Sequence, residues 1–120
     1  MSYRRPKVID VLGVLKVMRD KFTRASNITE LRIKSVQDVA DCELQKGRYL
    51  NQRSAEHTIM DACGRRVVGN LKDFDRLVDE WLRHGSTALR DELLDHCAGS
   101  SERAEISNFF NNTRQYRQKS

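Results

Sequence analysis

Apolar residues recur every three or four positions through most of the chain, the pattern of amphipathic α-helices. A first helix is predicted at residues 8–24, and Val14 and Val17 widen its apolar face. We therefore expect a central core helix covered on two sides. Its main stripe consists of Val8, Val11, Leu12, Leu15, Met18 and Phe22.

Capping signals predict where the next two helices begin. Residues 25–31 are expected to form a connection, and Ser35 is predicted to start the second helix because Asp38 follows at capping-box spacing. Gly47 is suited to a left-handed C-terminal cap of that helix. After a connection at residues 47–53, Ser54 is predicted to start a third helix.

The segment after residue 69 contains the most regular amphipathic pattern. Asn70 and Asp73 repeat the capping-box spacing, and the helix is expected to end before Gly85. Its apolar stripe consists of Phe74, Leu77, Val78, Trp81 and Leu82. A further helix is predicted between Ser86 or Thr87 and Gly99.

A last helix is predicted from about Ser101 to about Thr113. Together these elements predict a single all-α domain of about five helices. Residues 1–7 are expected to form a basic arm, 8–69 an N-terminal helical part, 70–113 a C-terminal helical part and 114–120 a basic tail. Residues 67–69 leave no room for a β-hairpin.

The charged residues are distributed unevenly along the chain. The 120 residues are 38% hydrophobic and 32% charged, with a net charge of +5. Residues 1–34 carry nine Lys or Arg against three acids, whereas residues 70–99 carry four against seven. A basic front and an acidic third quarter could orient the molecule on a polyanion.

The distribution of apolar residues and the spacing of the cysteines indicate an intracellular protein with reduced thiols. No apolar run approaches the length of a membrane span, and residues 1–20 lack the features of a signal peptide. Cys42, Cys63 and Cys97 form no close pair, which favours free thiols. We therefore expect a cytoplasmic protein without a membrane partner.

The third predicted helix has one face of small or apolar residues and one polar face. Ala55, Ile59, Ala62 and Cys63 share the first face, and the polar face consists of Ser54, His57, Thr58, Asp61, Gly64 and Arg65. The sequences SVQDVA (35–40) and SAEHTI (54–59) resemble those of helix-turn-helix DNA-binding domains. The connection between them is longer than the three or four residues usual in that motif. The resemblance makes residues 8–69 a helix-turn-helix-like part, in which a full wing is not expected.

The resemblance implies binding to double-stranded DNA, as a transcriptional regulator or an accessory of a DNA-processing system. Such proteins commonly act as dimers, so a homodimer is one expected form. Residues 71–115 are the first choice for the dimer surface and residues 8–22 the second. The residues expected to contact base edges are Asn51, Gln52, Arg53, Ser54, His57, Thr58, Asp61 and Arg65. Those expected to contact phosphates are Arg4, Arg5, Lys7, Lys34 and Ser35.

No motif indicates enzymatic chemistry, a cofactor or a small-molecule ligand. The histidines and cysteines lack the spacings of zinc sites, so no metal is expected. Cys63 lies on the apolar face of its helix, which favours a buried filler over a nucleophile. The acids of residues 73–95 alternate with arginines, as on a solvated helix face.

Two other functions are compatible with this sequence. An all-helical adaptor, inhibitor or subunit would bind protein through residues 8–22 or the acidic surface of 72–95, without nucleic-acid affinity. Single-stranded nucleic acid could instead bind the arm and tail, but Tyr3, Tyr49 and Tyr116 are too scattered to form a stacking platform.

Overall fold

The computed structural model describes the backbone of residues 8–118 and the side chains of residues 10–113. All the regular structure in this part of the chain is helical, which confirms the all-α class, with six α-helices rather than about five. They are α1 (Val8–Lys21), α2 (Ile28–Gln45), α3 (Gln52–Val67), α4 (Leu71–His84), α5 (Ala88–Asp95) and α6 (Ser100–Gln118), with a 3₁₀ turn at Phe22–Arg24. None of the helices within residues 8–118 combines the length and apolar character needed to cross a membrane.

Helix α1 lies at the centre of the core, as its wide apolar face predicts. It contacts α2, α3 and α6. Among its described side chains, from Asp10 onward, five are fully buried: Val11, Leu12, Val14, Leu15 and Met18. They belong to a hydrophobic cluster to which each of the six helices contributes.

Helix α2 begins seven residues before the predicted start at Ser35. The side-chain oxygen of Asn27 accepts a hydrogen bond from the amide of Glu30 at 2.7 Å and caps the helix. Ser35 is fully buried inside the helix, where its hydroxyl donates to the carbonyl of Leu31 at 2.8 Å. The prediction of Ser35 as the cap is wrong, because this back-bond satisfies a serine within a helix.

Helix α3 also begins earlier than predicted. Asn51 is its N-cap, with the side-chain oxygen accepting from the amide of Ser54 at 2.9 Å, so the assignment of Ser54 as the cap is wrong. Six residues, 46–51, separate α2 from α3. Gly47 has a φ of 73°, which confirms the predicted left-handed cap at the end of α2.

Helix α4 has the predicted caps at both ends. The Asn70 side-chain oxygen accepts from the amide of Asp73 at 2.8 Å, while its side-chain nitrogen donates to the Asp73 carboxylate at 2.9 Å. Gly85 ends the helix in the left-handed region with a φ of 68°. All five residues of the predicted apolar stripe are buried.

The last two helices differ from the prediction at their ends. Helix α5 ends at Asp95 rather than at Gly99, and α6 starts at Ser100 and continues to Gln118. The hydroxyl of Ser86 accepts from the amide of Ala88 at 3.2 Å, before the first turn of α5. The α5–α6 connection is held by Arg103, which donates to the Leu94 carbonyl at 2.9 Å.

Candidate nucleic-acid interface

Helix α3 presents one face to the core and another to solvent. Ala55, Ile59, Ala62 and Cys63 are buried as predicted, and the helix packs against α1, α2 and α4. On the opposite side Ser54, His57 and Arg65 are exposed, while Thr58 and Asp61 are partly exposed. Five of the eight residues predicted to contact DNA bases therefore lie, fully or partly exposed, on this side of α3.

Gly64 was expected on the polar face but is buried against the start of α4. A Cβ atom at this position would lie 2.7 Å from the Cα of Leu71. The backbones of α3 and α4 can approach this closely only because residue 64 is glycine. An isolated glycine within a helical pattern is the sequence signal for such a close approach.

The residues at the entrance to α3 differ in how freely they could reach a ligand. The Gln52 side-chain nitrogen donates to the Gln37 carbonyl at 2.9 Å and lies 3.3 Å from the Glu56 carboxylate, so this amide links α3 to α2. Asn51 is exposed, but its side-chain oxygen caps the helix. Among the described residues no ion pair involves Arg53, and its side chain is exposed.

Arg65 and Asp61 form an ion pair one turn apart on the exposed face of α3. Such a pair in water contributes only about 0.3–0.5 kcal/mol to a helix. A guanine edge or a phosphate could therefore replace Asp61 as the partner of Arg65 at low cost. Arg65 lies on the same exposed side of α3 as Ser54 and His57.

The residues predicted to contact phosphates do not form one site among the described residues. Arg4, Arg5 and Lys7 lie outside them. Lys34 is exposed and forms an ion pair with Glu30 at 2.7 Å, and its hydrogen bond is the main reason that the pKa of Glu30 is lowered. The assignment of Ser35 needs correction, because its hydroxyl is buried and bonded within α2.

A shallow groove between α2 and α3 was not predicted from the sequence. It has a volume of about 310 Å³ and is lined by both apolar and basic side chains. Ile33 on its α2 side is 48% exposed. The other residues around it are Arg32, Val36, Gln37, Arg53, Glu56, His57 and Met60.

An ion pair between Arg32, which lines this groove, and Asp75 connects α2 to α4. The Arg32 Nη1 and Asp75 Oδ1 atoms are 2.9 Å apart, without the alignment of a hydrogen bond. Burial raises the pKa of Asp75, and the charge of Arg32 opposes that rise. Because the folded-state pKa is raised, Asp75 favours folding below its unfolded-state pKa, and this contribution is lost as pH rises through the folded-state pKa.

We expect Arg32→Ala to raise the pKa of Asp75 further, because the substitution removes the opposing positive charge while the carboxyl stays partly buried. An NMR pH titration of the Asp75 carboxyl carbon measures this change. Arg76→Ala is the matched control, since Arg76 pairs with Glu80 at 3.0 Å and should leave the titration of Asp75 unchanged. Equal Asp75 pKa values in the wild type and Arg32→Ala would contradict the expectation.

The three cysteines are free thiols in this structure. Cys63 is buried as predicted, and burial is the main cause that raises its pKa to about 12, with a smaller contribution from Asp10. Its thiol therefore stays protonated near neutral pH. Within the described side chains, no group of three or more His, Cys, Asp or Glu residues could hold a metal ion.

Comparisons of the chain with protein-family models, curated proteins and solved structures find no significant match.

Proposed function

We propose that this protein binds double-stranded DNA with the exposed face of α3 in the major groove. The observation that supports this most is the surface formed by Ser54, His57 and Arg65, which no other described element covers. A helix anchored on three neighbours and polar on its free side can enter a groove about 12 Å wide. The resemblance to helix-turn-helix domains supports the same role.

The chemistry of this face suits contacts to base edges. Arginine donates in a bidentate manner to guanine, and hydroxyl and imidazole groups contact several bases. Arg65 is therefore the strongest candidate for sequence discrimination. Lys34, which is exposed, would contact phosphates and set the position of α3, whereas the exposed Arg53 would contact base edges at the start of the helix.

The longer connection at residues 46–51 distinguishes this helix pair from the usual motif. Docking therefore depends on α3 itself rather than on the standard placement of the preceding helix. We extend the proposal to a homodimer, which would place two copies of α3 in half-sites about one helical turn apart. A cytoplasmic transcriptional regulator, or an accessory of a DNA-processing system, would act in this way.

We expect Arg65→Ala to weaken binding to a selected DNA site by about 1–3 kcal/mol and to relax its sequence preference. Sites are first selected from a random duplex library, and affinities are then measured by fluorescence anisotropy at several salt concentrations. Arg83→Ala is the matched control, because Arg83 is also exposed and pairs with an aspartate, Asp79, one turn away. The control removes the same charge from α4.

Two outcomes of this experiment would count against the proposal. If Arg65→Ala and Arg83→Ala bind with the affinity and preference of the wild type, Arg65 makes no contact with bases. If the wild type binds no duplex even at low salt, where phosphate contacts are strongest, the proposal of DNA binding fails.

The groove between α2 and α3 favours a second candidate, a protein-interaction module without nucleic-acid affinity. Ile33 and Met60 offer apolar contacts there, and Arg53 supplies a charge at the edge. Ile33→Ala would then weaken a protein complex, whereas the DNA-binding proposal expects this uncharged variant to keep its DNA affinity. Measuring both properties on the same variant distinguishes the two functions.

A further inference from the structure

Leu50 is held in an unusual position at the entrance to α3. Its side chain is 98% exposed, although both neighbours are anchored. Tyr49 packs against the hydrophobic core, and Asn51 caps α3 through its hydrogen bond with Ser54. The leucine therefore projects from a well-held segment of backbone.

Leu50 does not stabilise the start of α3 by packing against the helix. An apolar residue before an N-cap often packs against the fourth residue of the helix, which here is Ala55. Ala55 is fully buried, whereas Leu50 is in water, so this contact does not form. Other long side chains in the connection have partners: Lys46 and Arg48 approach the carboxylate of Glu43 at 3.5 and 3.1 Å.

Leu50 lies at the start of α3, the helix that is proposed to bind DNA. It immediately precedes the N-cap of α3, and the N-terminal residues of a recognition helix are those that contact base edges. The exposed Arg53 lies three residues further along. An exposed leucine three residues before an exposed arginine offers an apolar and a charged contact to a major groove, which carries thymine methyl groups and is bordered by phosphates.

We propose that Leu50 contacts the 5-methyl group of a thymine in the major groove of the bound DNA, and so selects an A·T pair beside the bases contacted by α3. This inference rests on the proposed function. The thymine methyl is the apolar group that the major groove offers, and aliphatic or aromatic side chains contact it. Leu50 thereby adds to specificity through burial of apolar surface on binding.

The test removes the methyl group and the leucine separately and together. Each thymine of a selected duplex is replaced in turn by deoxyuridine, which lacks only the 5-methyl group. We expect wild-type affinity to fall about fourfold at one position, the value for one buried methyl-sized group. In Leu50→Ala the same replacement is expected to have no effect, which a double-mutant cycle measures as coupling.

Ile33→Ala is the control variant, since Ile33 is also an exposed apolar residue but belongs to α2 rather than to the connection that precedes α3. It should lose affinity on methyl removal as the wild type does. Leu50→Ala should unfold at the same temperature as the wild type, because an exposed side chain contributes little to stability.

The results separate this inference from the proposed function. Binding of the wild type that is unaffected by deoxyuridine at every position would overturn the role of Leu50 while leaving DNA binding intact. A loss that persists in Leu50→Ala would assign the methyl contact to another residue and also overturn it. Failure of the wild type to bind any duplex would reject both proposals together.

Discussion

Replacing Gly64 by alanine should destabilise the protein by about 2–3 kcal/mol, even though alanine is the better helix former. The new Cβ would lie 2.7 Å from the Cα of Leu71 and 2.8 Å from its amide nitrogen. Both atoms belong to the backbone at the start of α4, so relief requires α3 and α4 to move apart. The gain in helix propensity, up to about 1 kcal/mol, offsets only part of this cost.

Gly13→Ala is the matched control, because Gly13 also lies inside a helix. Its new Cβ would lie 3.9 Å from both methyl carbons of Val39, an ordinary van der Waals contact. This variant should therefore be more stable than the wild type by up to about 1 kcal/mol. The same substitution is thus expected to have opposite effects at two helical sites.

Urea unfolding followed by circular dichroism measures both changes in the free energy of unfolding. A Gly64→Ala variant as stable as Gly13→Ala would show that α3 and α4 are not in close contact at Leu71. Because α3 carries the proposed DNA-binding face, Gly64→Ala should also weaken DNA binding if it shifts the helix. Gly13→Ala should leave that affinity unchanged.

Trp81→Ala is expected to cost about 3–5 kcal/mol, as is usual for removing a large aromatic side chain from a core. Trp81 packs against Phe109 and Phe110, with ring centroids 5.8 and 5.3 Å apart. These contacts join α4 to α6. The Arg19 guanidinium lies 5.0 Å from the centre of the Phe109 ring and adds α1 to the same cluster.

A domain of this size is stable by only about 5–15 kcal/mol, so this loss would leave a substantial unfolded population if the protein lies at the low end of that range. Trp81→Phe is the control, because it retains an aromatic ring and most of the buried volume. We expect it to cost less than half as much as Trp81→Ala in thermal and urea unfolding. Equal losses for the two variants would show that the ring packing does not stabilise the α4–α6 contact.

Helix α4 shows how far local sequence could predict the fold. Its capping pair Asn70 and Asp73, its left-handed Gly85 and its apolar stripe all lie within one short segment and favour the same helix. Residues close in sequence satisfy each of these interactions. No distant contact was needed to predict where this helix begins and ends.

Helix α2 shows where local patterns were insufficient. Asn27 and Ser35 are both residues that cap helices, and either could have begun the element. Burial of Leu31 against the core and the back-bond of the Ser35 hydroxyl favour the earlier start. That choice depends on contacts with other helices, which a capping pattern does not contain.

In the candidate interface, too, local sequence predicted some features and contacts between helices decided others. The two faces of α3 follow from the spacing of Ala55, Ile59 and Cys63, and the structure confirms which of them is buried. The exposed Leu50 could not be predicted, because local rules favour packing of that residue against its own helix. The links from Gln52 to α2 and from Gly64 to α4 also depend on which helices become neighbours.

The sequence by itself therefore determined the helical class, the buried stripes of α1, α3 and α4, and the caps of α4, because these depend on residues within one or two turns. Only the tertiary structure decided the start of α2, the burial of Ser35 and Gly64, and the groove around Ile33. Those features arise where separate helices meet. Their physical cause is the competition for burial among segments far apart in the chain.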